Sequence, residues 1–103
     1  MKKYWAEFLG TYILVFVGAG AIIINSVTEG TVSHLGVGLS FGLVVMAMIY
    51  AIGDISGAHI NPAVTIAFCV AKRFPSNQLL QYIFFQIFGA ILASATLYFM
   101  FPN

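Results

Sequence analysis

A chain of 103 residues that is 61% hydrophobic, 7% charged and has a mean hydropathy of +1.01 lacks the polar groups to cover a water-soluble domain. Its outside is expected to be lipid, and a net charge of +1 with no basic patch offers no grip to a nucleic acid. One cysteine, Cys69, excludes an intrachain disulfide and reads as a small apolar filler.

The first predicted span covers about 4–24 and opens on Lys2 and Lys3, with Tyr4 and Trp5 as an interfacial belt. It imitates a signal peptide, with Ala19-Gly20-Ala21 in the place of a cleavage site. Against that reading, Glu7 would lie inside the hydrophobic region and the apolar run continues past the supposed cut. A second span is expected over about 35–53 and a third over about 79–101, where Tyr98, Phe99 and Phe101 form the far belt. Lys2 and Lys3 precede the first span, Lys72 and Arg73 lie between the second and third, and the outer connection carries only Glu29. The positive-inside rule then puts the N-terminus in the cytoplasm and the C-terminus outside, in a multi-pass protein of the cell membrane.

Between the second and third spans lies a segment, about 54–71, too polar at its start and too short at its end to be a span. Gly57, Ser56 and His59 suit neither a continuing helix nor a lipid-facing one, so Asp54–Asn61 is expected to be extended. Asn61 and Pro62 then read as an N-cap and first helical residue. The helix they start, Pro62 to Ala71, is about 15 Å long, half a bilayer. A loop that enters the membrane and returns as a half-helix fits these lengths, and irregular backbone at that depth must be buried in protein or line a watery path. If the Asn61 side-chain oxygen caps the helix, its NH₂ is left as a donor to a passing solute. The carbonyls of Gly57, Ala58, His59 and Ile60 would lead up to it as acceptors, and the helix dipole would oppose cations there.

The run Ser56-Gly57-Ala58-His59-Ile60-Asn61-Pro62-Ala63-Val64-Thr65 resembles the first signature loop of the aquaporin, or major intrinsic protein, family. The resemblance extends along the chain through Ala6-Glu7-Phe8-Leu9-Gly10-Thr11, Leu39-Ser40-Phe41-Gly42-Leu43 and Gln86-Ile87-Phe88-Gly89-Ala90. It implies an all-α membrane fold: three transmembrane helices plus one re-entrant half-helix, one half of an inverted-repeat channel. It also implies a site. Asn61, Pro62 and Ala63 would form the pore motif, Glu7 and Gln86 would brace the loop, and Phe41 would form one wall of an outer constriction that favours water over glycerol.

Each of these residues also has a plainer reading. Glu7 lies one turn inside the interface and its side chain is long enough to snorkel out; Gln86 is costly in lipid and has the same escape only if it faces outward. Phe41 is one of ten Phe, and core packing would explain it equally. His59 is expected to brace the loop, and its distance in sequence from His34 argues against a shared metal site. Asp54 stands where family members often have histidine, at the expected cytoplasmic mouth. Small residues four apart, Gly38 and Gly42, Ala6 and Gly10, Gly89 and Ala93, are expected to let helices approach closely.

The resemblance covers one repeat only. A second Asn-Pro-Ala, an arginine for the outer constriction and a residue opposite Phe41 are all missing from the chain. The expected function is the first half of a passive water channel that needs a second repeat, from a separate chain or the remainder of a gene, with complete channels assembling as homotetramers. The alternatives are a facilitator of glycerol or another small neutral solute, and a non-conducting fragment or membrane subunit. No enzyme activity and no cofactor are expected, because no nucleophile–base pair, metal set or phosphate loop is recommended by spacing.

Overall fold

Three stretches of apolar sequence fold into helices long enough to cross a bilayer, and everything else in the molecule is fitted between them. The computed structural model describes residues 1–102, with α1 at Lys2–Val27, α2 at Ser33–Ser56, α3 at Pro62–Val70 and α4 at Leu79–Met100. A single 3₁₀ turn, Ser76–Gln78, leads into α4, and no strand occurs among the described residues. The molecule measures 44 × 25 × 22 Å, its long axis close to the ~39 Å that a helix the length of α1 spans.

The α1–α4 seam brings two helix backbones into direct contact. A Cβ placed on Gly89 would stand 2.4 Å from the Phe8 carbonyl oxygen and 3.2 Å from the Tyr12 nitrogen, so only glycine lets the two backbones come this close. Ala93 on α4 is buried in this seam, whereas Gly10 and Ala6 on α1 are buried on the side of the helix that meets Ile52 of α2 and Ile60 of the loop. A hydrogen bond of 2.9 Å between the Tyr12 hydroxyl and Thr96 Oγ1 ties the outer part of the seam. Tyr4 stacks on Phe85, with ring centroids 5.7 Å apart, and Trp5 meets Phe85 edge to face at 5.0 Å.

Two expectations need correction. A Cβ added to Gly38 or Gly42 would meet nothing within 4 Å, because the face of α2 that carries them points away from the other helices. They do not close a helix pair within this chain. In addition, α2 does not stop near residue 53. It runs on through Asp54 and Ile55 to Ser56, and the extended link shrinks to Gly57–Asn61. Tertiary bonds to Ser56 override the weak helix propensity of this stretch, and Gly57 ends the helix in the left-handed conformation (φ 88°) while its N–H bonds the Gly53 carbonyl at 2.9 Å.

Half-helix α3 begins at mid-depth. Asn61 and Pro62 share a cavity wall with Leu14 and Val15, in the middle of α1, and with Ile87 and Ala90, in the middle of α4. From there the chain returns toward the start of α4, where Phe74 meets Tyr82 with centroids 4.6 Å apart.

Candidate functional site

Polar side chains buried between apolar helices converge on the loop, and Glu7 stands at their centre. Its Oε2 accepts the Ser56 hydroxyl at 2.6 Å and the His59 N–H at 3.1 Å; its Oε1 accepts the Ile60 N–H at 2.8 Å and Gln86 Nε2–H at 2.7 Å. These donors fill the acceptor sites that an ionised carboxylate offers. Glu7 is fully buried, so the snorkelling alternative does not describe it.

The backbone that Glu7 holds is one that its residues would not choose. Ala58 has φ 50° and Ile60 has φ 46°, and for a β-branched residue the left-handed region is a genuine outlier. Such a residue costs about 1–3 kcal/mol and persists only where its surroundings over-determine it. Here the surroundings are specific: two successive N–H groups, of His59 and Ile60, are turned toward the two oxygens of one carboxylate. The Ala58 N–H bonds Ser56 Oγ at 3.2 Å, and the Tyr82 hydroxyl takes the last α2 carbonyl, that of Ser56, at 2.7 Å.

Thr65 is the second point of convergence. Its hydroxyl, wholly buried, lies 3.3 Å from the Asn61 carbonyl, to which it donates. It accepts from Gln86 Nε2 at 2.9 Å, and its contact with His59 Nδ1 at 3.0 Å is then satisfied by the tautomer with hydrogen on Nδ1. The imidazole is walled in by Phe68, Phe74 and Tyr82, with centroids 4.9, 5.0 and 5.2 Å away. His59 is thus part of the framework under the loop.

Asn61 stands at the tip. Its backbone is extended, its side-chain oxygen accepts the Ala63 N–H at 2.7 Å, and Pro62 follows as the first helical residue. The side chain is otherwise exposed, which leaves its NH₂ free to donate. Ala63 is exposed beside it and Pro62 is half-buried. Among the described residues no hydrogen bond reaches the carbonyl of Gly57, Ala58, His59 or Ile60.

Phe41 is brought together with none of these. Its ring is half-buried in the notch left by Gly18, where a Cβ would stand 2.2 Å from Cε1. Ile60 and Ile52 pack at Gly10, so Phe41 sits about 12 Å further along α1. Asp54 is exposed in the last turn of α2.

Ser56, Thr65 and Tyr82 belong to this hydrogen-bonded cluster although the sequence assigns none of them a role in it. A signal for two of them is present, since Ser56 and Thr65 are the first and last residues of the run that carries the resemblance.

Comparison with known proteins places this architecture. The chain matches the model of the family described as "Major intrinsic protein" over residues 1–103. It is 52% identical over 101 residues to aquaporin NIP1-1 of Zea mays, an alignment covering 98% of this chain and 36% of that protein. Identity to aquaporin NIP1-1 of Arabidopsis thaliana is 48% over 101 residues, covering 98% and 34%. For aquaporin NIP1-1 of Oryza sativa subsp. japonica it is 50% over 101 residues, covering 98% and 36%. The chain spans about a third of the length of the curated relatives that it matches.

Proposed function

This chain belongs to the major intrinsic protein family, and we propose that within it the chain forms the first half of a passive channel for water, completed by a second, inverted repeat. The observation that carries this reading is the capped tip: Asn61 uses its oxygen on Ala63 N–H, which leaves its amide hydrogens open to a solute, level with the middles of α1 and α4. A water arriving there would donate to the unengaged carbonyls of Gly57–Ile60 and accept from Asn61 Nδ2. Its bulk hydrogen bonds are replaced one for one, as passage in single file requires. The N-terminal end of the α3 dipole, at the same point, opposes a cation.

Pro62 and Ala63 position this tip, while Glu7, Gln86, Thr65 and Ser56 hold it in place. Phe41, on α2 against Gly18 of α1, would narrow the outer part of the path and favour water over glycerol. The basic residues Lys2, Lys3, Lys72 and Arg73 would face the cytoplasm and the end of α4 the outside. The second repeat would cover the apolar face of α3 where Ile66 and Val70, one turn apart, are exposed. Complete channels would associate as homotetramers in the bilayer.

Stopped-flow osmotic shrinkage of liposomes tests the reading. Vesicles holding this chain alone should shrink no faster than empty ones. Vesicles that also hold the second repeat should show fast flux of low activation energy, which Asn61→Asp impairs. Fast flux from the lone chain would overturn the need for a second repeat. Glycerol flux equal to water flux would move the assignment to a facilitator of small neutral solutes.

A further inference from the structure

Gln86 is pinned by its nitrogen and left open at its oxygen. Both Nε2 hydrogens are used, one on Glu7 Oε1 at 2.7 Å and one on Thr65 Oγ1 at 2.9 Å. A flipped amide would set its oxygen against the carboxylate, so the orientation is fixed. Gln86 Oε1 has no hydrogen-bond partner, and neither has Thr11 Oγ1. Both side chains are buried, Gln86 at 0% and Thr11 at 4% exposure, where unpaired polar atoms are rarely tolerated. Thr11 lies one turn beyond Glu7 on the same face of α1. Thr11 and Gln86 border one open-sided cavity of about 210 Å³, lined also by Leu14, Ile60, Asn61 and Pro62.

We propose that this cavity holds a fixed water molecule bridging Thr11 Oγ1 and Gln86 Oε1, and that Thr11 acts through it as a positioning residue for the loop. The two open groups are complementary: a hydroxyl that donates and a carbonyl that accepts. A water between them accepts from one and donates to the other, and the cavity exceeds the ~30 Å³ that a water needs. Its walls are otherwise almost wholly apolar, so an ion would find no counter-charge. With its oxygen held, Gln86 keeps its nitrogen on Glu7 and Thr65. This water is structural and does not permeate; the inference is independent of the channel reading, and its test involves no flux.

The test is diffraction from the protein crystallised from lipid, at a resolution that shows ordered waters, with Thr11→Val and Thr11→Ser beside it. A peak within hydrogen-bond distance of both oxygens is expected in the parent and in Thr11→Ser, and none in Thr11→Val. Amide exchange of His59 and Ile60, the N–H groups bound to Glu7, should quicken about three- to tenfold in Thr11→Val and stay within about twofold in Thr11→Ser. An empty cavity, a direct Thr11–Gln86 bond, or a side chain from elsewhere in the protein lodged there would overturn the proposal. So would exchange unchanged in Thr11→Val.

Discussion

The two arms of one excursion into the membrane, Gly57–Asn61 going in and Pro62–Val70 coming back, are held by opposite means. The inward arm buries Ala58, His59 and Ile60, and the N–H groups of these three are bonded to side chains, those of His59 and Ile60 to one far away in sequence. The returning arm is a regular helix that satisfies its own backbone, yet Val64, Ile66 and Val70 lie uncovered on it, and Thr65 is its one fully buried residue. Specific polar bonds fix the irregular arm because its backbone would not hold that shape alone. The regular arm needs no such help and offers its side chains to something else. A densely bonded stretch and an exposed apolar one thus adjoin in the chain.

Removing the centre of the inward arm breaks this contrast most severely. Glu7→Ala leaves Ser56 Oγ, the His59 and Ile60 N–H groups and one Gln86 hydrogen without their acceptor, in a buried space between helices. Breaking a buried charged partner of this kind costs about 3–5 kcal/mol. Amide exchange at His59 and Ile60 should therefore accelerate about a thousandfold, since each 1.4 kcal/mol is a factor of about ten. Exchange at α3 residues past its first turn should change much less, because those N–H groups bond within the helix. Equal acceleration in both arms would show that they open as one unit, and the distinction would fail.

The contrast also explains what the sequence discloses and what it withholds. The spans are legible because lipid demands long apolar runs, and α3 is legible because Asn-Pro starts a helix by local chemistry. Glu7 and Gln86 stand out because a polar group in a span needs a partner. Ser56 and Thr65 do not stand out, because a Ser or Thr hydroxyl in a helix is commonly satisfied by its own backbone, and Tyr82 does not, because a Tyr near the start of a span reads as an interfacial aromatic. Their partners lie far off in the chain: Ser56 reaches back to Glu7 and Tyr82 back to Ser56. The end of α2 is hidden for the same reason. Propensity argues for a break before Ser56, and bonds invisible at the level of local sequence carry the helix through it. Of Gly38 and Gly89, equal as small residues in spans, only Gly89 meets another backbone.

That last difference gives the next prediction. Gly89→Ala drives a methyl group against the Phe8 carbonyl and the Tyr12 nitrogen, backbone atoms that cannot swing aside. Forced overpacking of this kind costs about 1–3 kcal/mol. The midpoint of denaturant-induced unfolding in micelles should fall accordingly, while Gly38→Ala, within α2 and facing open space, should raise it slightly, since Ala favours a helix interior over Gly by about 0.5–1 kcal/mol. Because the α1–α4 seam positions Glu7 against Gln86, Gly89→Ala should also loosen the inward arm. An unfolding midpoint unmoved by Gly89→Ala would mean that the seam relaxes freely and does not hold the site.

The smallest effect is expected on the returning arm. Ile66→Ala removes apolar atoms from a side chain that is 45% exposed and takes no part in the Glu7–Gln86 hydrogen bonds. For this chain alone the stability should shift by no more than about 0.5 kcal/mol, as for other changes away from packed or bonded positions. In a complete channel the same face would be packed against the second repeat, and the deletion would then cost about 2–5 kcal/mol, the range for large-to-small changes in a core. The informative quantity is the difference between the two measurements. A large difference marks the exposed face of α3 as the surface on which the second repeat docks. A difference near zero would leave that face to lipid, and the two repeats would then meet through another exposed apolar surface, such as the face of α2 that carries Leu39, Leu43 and Met46.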